Sequence, residues 1–269
     1  ALGRWRWPLF AAVALLSFVV VVLPVAVLLY TSFVPYAMVP SAEAFAQMSW
    51  RHWIEAFEDP ISQLALRNSL FLAVAGATLG VALSLFIAYA TVKSKSRGAG
   101  LLEALTFLSF SFPGIVIGIG FMWLFVQTPI YATLTALLIG YVATYLPYGV
   151  RPLASAFVQV HPHLEESSRV AGAGAATTMR RIVVPLLVPG VVSAWILMAT
   201  MFLRELTLSV VLSRPGSEVL ATQILAFADD GLWGKLSALG IVMIAISTGL
   251  VVLAATVGAR LRPSGAVAG

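Results

Sequence analysis

The chain is 269 residues long, 60% hydrophobic and only 10% charged, with no cysteine and a formal net charge of +5. Soluble domains carry roughly a quarter charged residues, so a mean hydropathy of +0.98 excludes a soluble globular protein and leaves no room for a separate soluble domain. The excess positive charge sits in short clusters between apolar runs, the pattern of membrane-flanking loops rather than of a nucleic-acid surface, and the missing cysteines exclude disulfides and thiolate metal sites.

In chain order, apolar runs fall at about 8–31, 66–92, 101–126, 131–150, 186–210 and 236–259, each long enough to cross a bilayer as a helix. They are continuous rather than alternating, which predicts helices and not strands. The expectation is an all-α, polytopic membrane protein with six transmembrane helices, forming a single transmembrane domain over 1–269 with a core at about 66–260. The first run, Pro8 to Phe33, is too long for a signal-peptide core and reads as a retained span. The chain starts at Ala1 rather than Met, which fits either processing or a piece of a longer polypeptide.

With the amino terminus inside, the cytoplasmic segments hold Arg4, Arg6, Lys93, Lys95, Arg97, Arg151, Arg169, Arg180, Arg181, Arg260 and Arg262, which is 11 of the 16 Lys and Arg. That bias predicts both termini in the cytoplasm. Two longer loops, about 34–64 and about 211–234, then face outward. In the first, "WRHWIEAFEDP" spaces Trp50, Trp53, Ile54 and Phe57 as one face of a helix lying on the membrane surface.

Between the fourth and fifth runs, at about 159–185, lies the polar stretch "HPHLEESSRVAGAGAATTMRRIVVP". It predicts a cytoplasmic helical hairpin: one helix over His161 to Ala171, a turn at Gly172 and Gly174, and a second helix over Ala175 to Val184 that Pro185 stops. Glu166 and Arg169 are three apart and can pair on the first helix. A hairpin continuous with membrane spans is suited to passing force from a cytoplasmic partner.

The spacing Glu166-Ser167-Ser168, three residues, Gly172, nine residues, Ile182, one residue, Val184, Pro185 resembles the EAA loop of permease subunits of ABC importers. The family pattern has two alanines where Ser167 and Ser168 stand and a leucine at Val184, all small or apolar exchanges. The resemblance implies that the loop is a coupling helix seated in a cleft of a cytoplasmic ATPase. ATPase coupling would then fall to Glu165, Glu166, Ser167, Ser168, Arg169, Ala171, Gly172, Ala173, Gly174, Ile182 and Pro185, with Gly172 as the bend and Glu166 as a polar anchor. It also implies the partners: a second permease half, two ATPase subunits carrying ATP and Mg, and a periplasmic solute-binding protein, all at a bacterial inner membrane.

The stretch "RELTLSVVLSRPGSEVLATQI", Arg204 to Ile224, further resembles the permeases of iron(III) importers, and the start "ALGRWRW" resembles the second half of a fused two-half permease. Related branches move polyamines, thiamine, aminoethylphosphonate or oxyanions. A non-transporting membrane scaffold or sensor, whose hairpin docks a cytoplasmic protein, is the rival of another class.

The residues point to no chemistry of the chain's own. The P-loop pattern G-x-x-x-x-G-K-[ST] is absent, as are H-E-x-x-H and G-x-S-x-G, so the expectation is a transport subunit without catalytic residues, cofactor or metal. His161 and His163 flank a proline and lack the spacing of a helical metal site. Asp229 and Asp230 beside Gly231 read as a turn. Arg204 and Glu205, placed by count about 22 Å along the fifth span, are either a site on the translocation path or a packed or snorkelling pair. Pro113 and Pro147 can kink spans where they line a cavity, and Tyr145 and Tyr148 join them as path candidates. Gly114 and Gly118 form G-x-x-x-G, a helix-packing surface.

Overall fold

A computed structural model describes residues 3–93 and 98–261. Lys95, Arg97 and Arg262 of the charge count lie outside them, as do the side chains of Arg4, Glu165 and Arg260. Among the described residues every regular element is helical. The chain divides into two compact units, 1–63 with 223–245 and 64–222 with 246–269.

The first unit opens with α1, Arg6–Thr31, an apolar helix with no buried side chain. A helix that is apolar all round and leaves most of its side chains exposed suits lipid. After it come the short α2, Ala42–Ala46, capped by the Ser41 hydroxyl, and α3, Arg51–Glu58. Trp50, Ile54 and Phe57 are exposed there, while Trp53 donates its indole N–H to Ser32 Oγ at 3.2 Å. Asp59 then starts the 33-residue α4, Pro60–Val92. Its carboxylate accepts from the Ser62 amide at 2.9 Å, from the Ser62 hydroxyl and from Gln223 Nε2, and Pro60 follows where the first turn needs no N–H.

The second unit contains the rest of α4, then α5, Ala99–Ser111, α6, Gly114–Phe125, and α7, Leu134–Gln159. The hairpin helix α8, Pro162–Val170, leads into α9, Ala176–Leu203, followed by α10, Thr207–Leu212. α11, Leu220–Asp229, and α12, Trp233–Leu261, complete the order. Glycines on one face of α4 admit large side chains of α9: Gly76 lies against Phe202 and Gly80 against Met198. Leu72 and Ala77 of α4, Leu137 and Leu153 of α7, and Met198 and Phe202 of α9 are fully or almost fully buried. Gly114 and Gly118 pack against Thr207 and Val211 of α10, as the G-x-x-x-G pattern predicts.

Four helices, α1, α4, α9 and α12, are each long and apolar enough to cross a membrane among the described residues, with α5 and α6 together a candidate fifth. The run at 101–126 is bent rather than continuous, because α5 and α6 meet at 109°. Phe112, before proline, is extended at φ −114° and ψ 140°, and Pro113 has no N–H to carry a helix onward. The run at 131–150 also differs: α7 continues past Pro147 and Pro152 to Gln159, about 39 Å at 1.5 Å per residue. The fifth run ends as a straight helix at Leu203, and Arg204 to Leu206 form a break before α10.

Pro185, expected to stop a helix, and Pro24 within α1 are absorbed by the same device. The Leu23 amide bonds back five residues to Phe18, just before Pro24, and the Val184 amide bonds back five to Met179, just before Pro185. One wide turn relieves the clash between a proline ring and the carbonyl four residues earlier. Pro185 therefore does not stop the second hairpin helix, which runs on into the membrane.

Candidate coupling hairpin and buried carboxylate

The hairpin is built by local capping. Gly172 takes φ +81°, the left-handed conformation that costs other residues about 1–2 kcal/mol. The Ala173 amide donates to the Ser168 carbonyl at 3.0 Å and the Gly172 amide to the Arg169 carbonyl at 2.9 Å. Those two bonds are the 6→1 and 5→2 pair that closes a helix on a left-handed residue. Across the turn, Ser168 Oγ and Thr178 Oγ1 lie 2.8 Å apart, both buried, so the second serine of the motif ties α8 to the start of α9.

Around that tie the surface is small and open. Ala171, Gly172 and Gly174 are exposed, and no atom lies within 4 Å of where a side chain at either glycine would begin. Val170 is 90% exposed, an apolar knob on the hairpin tip that motif spacing does not single out. Ser167, Arg169 and Pro185 are exposed, while Ala173 and Ile182 are half-buried. Glu166 does not pair with Arg169, as spacing allowed; its Oε2 lies 2.9 Å from His163 Nδ1, one turn earlier.

The charged pair at 204–205 separates. Arg204 is exposed, and Glu205 is 3% exposed, and the two are not bonded to each other. The Glu205 carboxylate accepts from the Leu208 amide at 3.0 and 3.1 Å, from the Ser209 amide at 3.1 Å and from the Ser209 hydroxyl at 3.1 Å. Tyr145 donates its phenol O–H at 3.3 Å, and Tyr141 bonds to the Ser209 hydroxyl. A buried carboxylate with these donors is a helix cap for α10 and a bolt between α10 and α7. Spacing alone could have marked Ser209, four residues after Glu205, but nothing in the sequence marked Tyr141.

From Tyr145 an aromatic chain continues along α7. Its ring lies 5.8 Å from Tyr148, which in turn lies 5.2 Å from Phe110 of α5. Pro147 is buried within α7, and Pro113 is exposed at the α5–α6 break. Of the path candidates the structure brings Tyr145 and Glu205 into direct contact, sets Pro147 on the same helix as Tyr145, and places Pro113 and Arg204 outside their hydrogen-bond network. Among the described residues, no group of three His, Asp or Glu is arranged to hold a metal ion.

Residues 80–263 match the family described as binding-protein-dependent transport system inner membrane component. The chain is 29% identical over 212 residues to the spermidine/putrescine transport system permease protein PotC of Haemophilus influenzae, covering 77% of this chain and 82% of that protein. It is 31% identical over 192 residues to the ferric transport system permease protein FbpB of Actinobacillus pleuropneumoniae, covering 70% of this chain but only 28% of that one. A chain of a bacterial alginate ABC transporter crystal structure shares the fold at a TM-score of 0.75, with 15% identity, 96% of this chain and 98% of that chain covered. A methionine ABC transporter chain aligns at a TM-score of 0.63, with 15% identity, 80% of this chain and all of that chain covered.

Proposed function

The chain belongs to the binding-protein-dependent transport system inner membrane component family, and on that premise we propose that it forms half of the translocation pathway of an ATP-driven importer. The observation that carries the reading is the hairpin: a capped, small-residue turn at Gly172, tied by Ser168 and Thr178, whose second helix runs without a stop into the apolar α9. A push on the hairpin is delivered to a membrane helix.

In this reading Glu165 to Gly174, with Ile182 and Pro185, face a cytoplasmic ATPase. ATP and Mg bind there and not on this chain, which is a transport subunit and not an enzyme. A second six-span half, two ATPases and a periplasmic binding protein complete the assembly, and both termini of this chain are cytoplasmic. Six spans follow when α5 with α6, and α7, join the four apolar helices in one transmembrane domain over 1–269. ATP-driven closure of the ATPases moves the hairpin, and the membrane halves exchange between two packed arrangements.

The solute is a cation, with iron(III) as the first reading. The FbpB likeness and the hard phenol oxygens of Tyr145 and Tyr148 support it. Polyamine is the second reading, favoured by the PotC likeness over most of both chains. The aromatic chain from Tyr145 to Phe110 would serve it through cation–π contacts. The test is uptake by the complete complex in vesicles, with ATP inside and loaded binding protein outside. Binding-protein-dependent accumulation of radiolabelled iron(III) supports the first reading, accumulation of spermidine alone replaces it with the second, and uptake of neither overturns both.

A further inference from the structure

Where the hairpin runs into the membrane, α9 carries an open recess of about 420 Å³ lined by Ala176, Thr177, Arg180 and Arg181. Ala176 and Thr177 stand one turn before the two arginines, so short side chains leave the space and long ones frame it. Arg180 and Arg181 are both exposed, and neither has a hydrogen bond or an ion pair among the described residues. The exposed Thr177 hydroxyl is likewise unused among them. Acid to neutralise the arginines is scarce: between Glu103 and Glu205 the sequence holds only Glu165 and Glu166, and Glu166 is taken by His163. Two guanidinium forks, each able to take a phosphate side-on, are therefore open at one spot.

The surroundings select which anion. Both arginines lie in the wide turn Met179–Val183, and one turn on the exposed residues are Val184, Pro185 and Leu186, with Val183 and Leu187 buried. Val184 is four residues after Arg180 and Leu186 five after Arg181, so the face that bears the charges continues as apolar surface. Only three residues, about 4.5 Å of helix, separate the last charge from the first exposed apolar side chain. A soluble anion would use the charged part of this face alone, whereas a molecule with an anionic head and an apolar body uses both.

We propose that the recess holds the phosphate headgroup of an anionic phospholipid in the leaflet that α9 enters, with Arg180 and Arg181 on the phosphate, the Thr177 hydroxyl donating beside them, and an acyl chain along Val184 and Leu186. The recess equals roughly fourteen waters at about 30 Å³ each, room for a phosphodiester and its glycerol. The inference goes beyond the import reading: it needs α9 to enter the membrane at this end and needs no ATPase. Its consequence for that reading is mechanical, because the lipid pins the root of the hairpin at the membrane surface and leaves the tip at Gly172 free to move.

The test uses the whole complex in vesicles, with cysteine-free partner subunits and Leu186→Cys carrying a fluorophore in a chain that has no cysteine of its own. Quenching by phosphatidylglycerol with brominated chains is compared with quenching by brominated phosphatidylcholine. Phosphatidylglycerol is expected to bind about thirtyfold more tightly, with R180Q or R181Q each losing about fivefold and R180Q/R181Q losing the preference. The same label at Phe71, exposed on α4 and about 30 Å along it from the end where Lys93 bonds the Val160 carbonyl, should show no preference that R180Q/R181Q removes. High salt should shrink the preference at Leu186, and this arm stands even if the double variant fails to fold. Equal quenching by the two lipids, a preference untouched by R180Q/R181Q, or one unchanged by salt would overturn the proposal. So would its loss to inorganic phosphate at matched ionic strength, which would make the recess a site for a soluble anion. Absence of any preference, with ATPase lost from R180Q/R181Q on purification, would give the arginines to the partner protein instead. Each of these outcomes leaves the import reading standing, because uptake with loaded binding protein is scored separately.

Discussion

Ser168 and Thr178 meet at 2.8 Å across the hairpin turn, ten residues apart and both buried. This bond makes the turn a fixed piece of structure rather than a loop, because α8 has few other ways to hold its angle to α9. Removing the Thr178 hydroxyl leaves Ser168 Oγ without its partner, at roughly 1–3 kcal/mol, whereas Thr178 keeps its bond to the Gly174 carbonyl at 3.3 Å when the Ser168 hydroxyl is removed. Ser168→Ala and Thr178→Val should therefore speed amide exchange across 165–178 while exchange in α4 and α7 stays slow. Exchange measured by mass spectrometry checks this, and unchanged protection in the hairpin would show that the bond holds nothing.

Gly172 carries the second prediction. A side chain there meets no atom within 4 Å, so the whole cost of substitution comes from φ +81°. Gly172→Asn should keep most transport-coupled ATPase stimulation, Gly172→Ala should lose more at about 1–2 kcal/mol of strain, and Gly172→Val should lose most. Equal activity in all three would mean that the turn relaxes.

Glu205 and Arg204 should part company on mutation. Glu205→Ala strands the Leu208 and Ser209 amides and the Tyr145 phenol, each costing roughly 1–3 kcal/mol when left unpaired. The complex should melt earlier in detergent, with Glu205→Gln recovering part of the loss. Arg204→Gln, at an exposed position, should melt like the parent. A large loss from Arg204→Gln with a neutral Glu205→Ala would reverse the assignment.

The ion cluster of Arg51, Glu55 and Lys235 predicts a pH dependence. The hydrogen bond from Arg51, above all, holds the Glu55 carboxyl below its ordinary pKa, and Lys235 adds to this. A carboxylate whose pKa is lowered by folding stabilises the fold above its unfolded pKa, and the contribution fades as pH falls through the folded value. The α3 segment should therefore become more accessible to limited proteolysis on acidification below the ordinary glutamate range, and the step should be lost in Glu55→Gln. Because the cluster is solvent-facing, high salt should shrink it as well.

Much of this was legible in the sequence. Apolar run length announced the spans at α1, α4, α9 and α12, the Gly172 spacing announced the hairpin turn, and Gly114 with Gly118 announced a packing face. Asp230 and Gly231 do form a turn, closed by the Leu232 amide on the Phe227 carbonyl, while Asp229 is the last residue of α11. What periodicity could not show is how far each proline acts. Pro113 breaks its helix by 109° while Pro185 is carried by one wide turn, a difference set by whether the chain can bond back five residues. Nor could it separate Arg204 from Glu205, because the donors that hold the carboxylate come from the α10 backbone and from a tyrosine 60 residues away. The Glu166–Arg169 pairing failed for a similar local reason: His163 stands one turn earlier and takes the carboxylate.

The central claim is that the hairpin is the element through which an ATPase moves this chain, and one crosslink tests it most directly. A single cysteine at Gly174, exposed and free of neighbours, is paired with one in the facing cleft of the ATPase that co-purifies with the permease. A specific crosslink, whose yield changes between nucleotide-free and ATP-bound complex, is the predicted result. A folded, co-purified complex in which Gly174→Cys labels freely yet never crosslinks, with or without ATP, would contradict it.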